Sequence, residues 1–154
     1  MPLKAALGSF LAEINRFETE AVRSALQRLS RDACFAERAE QLLDLKARLT
    51  LVERLAGARL LASELTASLL DLLSRARRLL DVRDDIAQVP AILTADSPGT
   101  TPLIVRRRPA STPGRPGKPE DLWFPGAQQL HAYASEAMQL NASVCAMVAD
   151  LTRA

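Results

Sequence analysis

The chain has 154 residues, 48% hydrophobic but only 4% aromatic, which suits a single helical domain with a Leu/Ala/Val core and is too short for two independent cores. Lys plus Arg number 20 against 18 Asp plus Glu, a formal net charge of +2. No global field therefore draws the chain to nucleic acid or an anionic membrane, and any such attraction must be local.

The opening stretch, MPLKAALGSFLAEINRF, continues in helical period past its short apolar patch, so it reads as mature helix and not as a signal peptide. Glu13, Glu18 and Glu20 also argue against an acidic-poor presequence. Leu3, Leu7, Phe10, Ile14, Phe17 and Ala21 alternate steps of four and three, which places them on one stripe of a helix. From Leu3 to Val89 there is no proline, and glycine occurs at Gly8 and Gly57 alone. So few breakers over so long a run predict helix throughout.

LSRDACF, residues 29–35, is the best place for the first helix to turn back, because Ser30 and Asp32 can each cap a helix start. One uninterrupted rod, or a break near Gly57, are the alternatives. The hairpin reading makes the second helix run from about Asp32 to Gln88, roughly 85 Å at about 1.5 Å per residue. Leu51, Leu55, Ala58, Ala62, Leu65, Leu69, Leu72, Ala76 and Leu79 keep coiled-coil spacing along it. Leu42, Leu45, Leu49 and Val52 form an earlier seam in a shifted register. Leu60, Leu61, Leu70, Leu73, Leu80 and Val82 lie outside the stripe. A helix apolar on more than one side needs more than one neighbour, and this predicts a partner chain.

Pro90 and Pro98 end the second helix. LIVRRRPASTPGRPGKPEDLWFPG follows, a long Pro-rich segment with a β-like Leu103–Val105 triplet. Its basic residues Arg106, Arg107, Arg108, Arg115 and Lys118 can contact phosphates. No aromatic interleaves them for base stacking until Trp123 and Phe124, so a tether is the stronger reading and nucleic acid is disfavoured. Pro113 to Lys118 matches a minimal PxxPxK ligand pattern, and RRPAS ahead of Ser111 resembles a basophilic kinase site. The last helix starts at an Asp121 cap or after Pro125. Its seam is Ala127, Leu130, Ala134, Ala137, Asn141, Val144, Val148 and Leu151. Asn141 either sets register as a buried amide or faces water. Trp123 and Phe124 read as a staple where tether meets helix, or as a partner hot spot.

No sequence feature predicts catalysis or a cofactor. The single histidine, His131, sits one residue past the seam, with no HExxH, GxSxG or phosphate-loop motif. Glu37, Glu40 and Asp44 alternate with Arg38, Lys46 and Arg48, as a salt-bridged face does. Cys34 and Cys145 lack metal spacing and predict two reduced, buried thiols.

The expected fold is all-α: a long helical hairpin plus a C-terminal helix, packed as a coiled-coil-like three-helix bundle with a long Pro-rich loop. One domain divides into the hairpin 1–94, the loop 95–120 and the C-terminal helix 121–154. The expected function is a non-enzymatic coiled-coil subunit or adaptor in a homo- or hetero-oligomer, without membrane span, cytoplasmic or nuclear. Its partner-binding residues would be Leu61, Leu65, Leu69, Leu72, Leu73, Leu80, Trp123, Phe124 and Asn141. A helical binding chaperone is the alternative. A nucleic-acid-associated factor using the basic loop is the third.

Overall fold

The structure, a computed structural model, describes residues 2–58, 63–87, 103–107 and 120–151. The chain begins with one continuous helical run. Helix α1 (Leu3–Arg16) passes through a π-helical turn (Phe17–Val22) into α2 (Arg23–Ser30), with helical backbone at both junctions. The stripe from Leu3 to Ala21 is buried. Continued at the same spacing it would turn Ser24 and Arg28 to the core. The π turn takes up one extra residue, so Val22, Ala25, Leu26 and Leu29 are buried instead.

The reversal falls within residues 29–35, as the capping residues predict. Arg31 takes the left-handed conformation (φ 56°). Its N–H reaches the Gln27 carbonyl at 3.1 Å. The Asp32 carboxylate then accepts the Phe35 N–H at 3.1 Å and starts α3 (Ala33–Leu42), which folds back on α2.

The expected second helix from about Asp32 to Gln88 is divided. Leu43 is extended, and the Asp44 carboxylate accepts the Ala47 N–H at 2.8 Å, starting α4 (Leu45–Ala58). Helix α5 (Ser63–Ala87) runs antiparallel to α4. Lys46 meets Asp81 and Asp84 at 2.6 and 2.9 Å. Farther along α4, Arg77 of α5 reaches Thr50 at 2.6 Å and Glu53 at 2.9 Å. As α4 advances its partners on α5 recede, which defines the direction. The second helix therefore covers part of its own apolar surface.

Strands β1 (Leu103–Arg107) and β2 (Glu120–Phe124) form an antiparallel ladder with Leu103 opposite Phe124 and Arg107 opposite Glu120. Of the two proposed starts for the last helix, the one after Pro125 is realised. Helix α6 spans Ala127–Leu151, and Asp121 belongs to β2.

Helix α6 runs parallel to the first helical run. Phe10 packs on Tyr133 with ring centroids 6.0 Å apart. Ten residues farther along the run, Glu20 meets Asn141. On its other side α6 meets α5 in the opposite sense, with Arg75 near Glu136 at 3.9 Å and Ser68 and Leu72 beside Ser143 and Met147. Helix α4 packs on α5, α2 and the π turn, and α2 touches α6. The helices thus close a ring around one core. Its fully buried large side chains include Phe10, Phe17, Leu26, Leu49, Leu69, Leu73, Leu80, Leu130 and Leu140, each contributing about 1.5–3 kcal/mol of burial free energy.

Candidate partner-binding surface

Two polar side chains are buried among the described residues, Arg48 and Asn141. Both are tied to the π turn. Arg48 pairs with Glu18 and donates from Nε to the Leu43 carbonyl at 3.1 Å, so it joins the π turn to the exposed break between α3 and α4. Asn141 donates from Nδ2 to Glu20 Oε2 at 2.7 Å, and its Oδ1 faces the Cys145 thiol at 3.8 Å. Burial pushes the Cys145 thiol up, and the nearby Glu20 carboxylate adds to the shift. Of the two readings of Asn141, the structure realises the buried one. Its partner is Glu20 of the same chain, so it keys α6 to the first run.

The expected partner residues separate into three groups. Leu69, Leu73 and Leu80 lie in the core, with 1% exposure or less. Leu73 and Leu80 lie off the main stripe, and two intrachain neighbours explain their burial, since α5 touches both α4 and α6. Leu65 and Leu72 remain available: Leu65 is 42% exposed and Leu72 is half-buried at the edge of the core. Leu61 lies outside the described residues, and Trp123 and Phe124 stand in β2 opposite Ile104 and Leu103.

Leu72 belongs to an open groove between α5 and α6, lined by Ala67, Ser68, Asp71, Leu72, Ser143 and Met147. Leu65 stands on the same flank, one turn before Ser68 and two before Leu72. Leu70 and Met138, exposed farther round α5 and α6, add apolar surface outside the groove. Sequence reasoning named the α5 leucines but missed Met147. Its signal is present, because Ser143 and Met147 follow each other at i and i+4 beside the buried seam of Val144 and Val148. A second, shallow recess on α3 is lined by Asp32, Cys34, Phe35, Glu37, Arg38 and Gln41. Past it, Leu42 is 79% exposed, although the sequence pattern assigned it to a seam.

The other candidates are dispersed. Arg106 and Arg107 occupy β1, where the register sets them opposite Asp121 and Glu120. Arg108, Arg115 and Lys118 lie outside the described residues, as do Ser111 and the PxxPxK stretch. His131 is exposed on α6. The acidic face of α3 and α4 is used structurally. Glu40 pairs with Arg23, whose pKa is raised by that hydrogen bond, and Asp44 caps α4. Both cysteines are free thiols, but neither is fully buried: Cys145 is half-buried at the edge of the core, and Cys34 is exposed because the helix that carries it turns only Ala36 and Ala39 to the core.

No helix among the described residues is long and apolar enough to cross a membrane. The chain matches no known protein family, no characterised protein and no solved structure.

Proposed function

We propose that this chain is a non-enzymatic helical adaptor, a subunit that holds another chain in a multiprotein assembly through the groove between α5 and α6. One observation carries the reading. The core closes on itself, yet Leu72 and Met147 remain half-buried in the groove beside small residues, and Leu65 is exposed on the same flank of α5. An apolar strip left open beside a closed core is a common mark of a protein-binding surface. The two free thiols support a reducing compartment, cytoplasm or nucleus.

The closed core also favours a second reading, a binding chaperone. Leu69, Leu73 and Leu80 are satisfied within the chain, as a folded monomer that clasps a client through one groove would have them. The two readings differ in lifetime: a subunit stays in a complex of fixed stoichiometry, and a chaperone releases.

The test is light scattering across a dilution series, on the chain alone and on tagged chain isolated from its host. The adaptor reading expects one complex of fixed mass, with itself or another protein. Leu72→Asp combined with Met147→Asp should reduce it to monomer while the thermal midpoint stays within a few degrees. A wild-type chain that is monomeric at every concentration and isolates alone refutes it.

A further inference from the structure

The groove has a charge as well as a shape. Residues 63–74 of α5 and 137–151 of α6, the turns that flank it, contain no lysine or arginine, although Lys plus Arg outnumber Asp plus Glu in the whole chain. Their charged residues are Glu64, Asp71 and Asp150, all acidic. Glu64 and Asp71 are seven residues apart, which puts them on one face of α5, about 10.5 Å apart along its axis, with Ser68 between them. Neither has an ion-pair partner among the described residues, whereas Arg75 on the next turn is already matched by Glu136. The groove offers Leu72 and Met147 as apolar anchors, Leu65 extends them along the same flank of α5, and Ala67, Ser68 and Ser143 allow close approach of a backbone.

From this charge complementarity we propose that the groove's occupant is a basic amphipathic helix of a partner protein. The inference rests on the adaptor reading and specifies the partner's chemistry. The partner lays an apolar i, i+3/i+4, i+7 stripe on Leu65, Leu72 and Met147. Two Lys or Arg seven residues apart on the flank of that stripe face Glu64 and Asp71. Apolar burial supplies the affinity. The paired charges select the partner and its register, because a like-charged helix would set two acidic rows against each other.

The test uses the full chain and two designed peptides of about four helical turns. Both carry the same leucine stripe. One has Lys at two flanking positions seven apart, and the other has Glu there. Binding is read by fluorescence anisotropy at low and high salt. The Lys peptide is expected to bind at least tenfold more tightly than the Glu peptide, with the difference shrinking as salt rises. Glu64→Lys combined with Asp71→Lys should invert that preference. Both sites are solvent-exposed, so circular dichroism should show the double variant folded.

Equal binding of the two peptides, or a preference that survives the double lysine variant, overturns the proposal. If binding is then still lost in Met147→Asp, the groove keeps its role and only the basic partner falls. A wild-type chain that dimerises, is dissociated by Met147→Asp and binds neither peptide assigns the groove to a second copy, which also overturns it. A monomer that binds neither peptide removes both the basic helix and the groove.

Discussion

Arg48→Ala tests the structure most directly, because it removes the link between the π turn and the break separating α3 from α4. Arg48 is 6% exposed, and its guanidinium meets Glu18 as well as the Leu43 carbonyl. Breaking a buried ion pair by deleting one partner costs about 3–5 kcal/mol, since the remaining charge is stranded. Glu18 keeps 27% of its side-chain exposure, so water offsets part of that. The Leu43 carbonyl loses a charged donor but stands at an exposed junction. The expected loss is about 3 kcal/mol, which for a chain of this size lowers Tm by about 6–12 °C. Arg48→Met combined with Glu18→Leu removes both charges at similar volume and should stay within about 1 kcal/mol of wild type. Urea unfolding of wild type, Arg48→Met, Glu18→Leu and their combination, followed by circular dichroism, closes the double-mutant cycle. A cost below about 1 kcal/mol for Arg48→Ala, or a coupling near zero, would falsify this account of how α3 and α4 are joined.

Leu80→Ala should cost about 2–5 kcal/mol, whereas Leu65→Ala should change stability by about 0.5 kcal/mol or less and act only on partner binding; equal costs would mean that Leu65 is covered within the chain. Gly8→Ala should stabilise by about 0.5–1 kcal/mol, because Gly8 is helical and an added Cβ meets nothing within 4 Å; a lower melting temperature would show that this face of α1 is occupied. For Asp84, burial raises the carboxyl but hydrogen bonds from Lys46 and Arg83 outweigh it and hold the pKa below the ordinary value of 3.8. Its stabilising contribution is therefore present above about pH 4 and lost as pH falls through the depressed folded value. Melting curves of Asp84→Asn between pH 7 and pH 2 should decline less steeply in acid than wild type, and parallel curves would refute the Lys46 contact.

The all-α bundle was legible because the signals were local. Ser30 and Asp32 marked the first reversal by their capping chemistry, and the stripe from Leu3 to Ala21 marked the core face of α1. The divided second helix was not legible for an equally physical reason. LLDLKARL carries an N-cap aspartate, Asp44, but no glycine or proline accompanies it, and its leucines continue an apolar pattern across the break. Leucines on several sides of α5 suggest another protein, yet Leu69, Leu73 and Leu80 are covered by neighbours within the same chain, and α5 packs on α4 and α6. Arg48 could have been suspected: it occupies the i+3 place of a stripe whose other members, Leu45, Leu49 and Val52, are buried. The π turn left a trace too, since the buried stripe would otherwise have led to Ser24 and Arg28. Of the groove, the sequence pattern supplied Leu65 and Leu72. Met147 enters only once α5 and α6 are known to be neighbours.

The parallel pairing of α1 with α6 has a consequence for how the protein is made. The apolar face of Leu3, Leu7, Phe10 and Ile14 is covered mainly by a helix that begins at Ala127. At about 5–20 residues per second of synthesis, that face waits about 6–23 seconds on the ribosome before its cover begins to emerge. Throughout that interval the nascent chain displays a ready-made stripe for any holdase near the exit tunnel. Core closure is then a late, long-range step, slower than the local hairpins of α2 with α3 and α4 with α5.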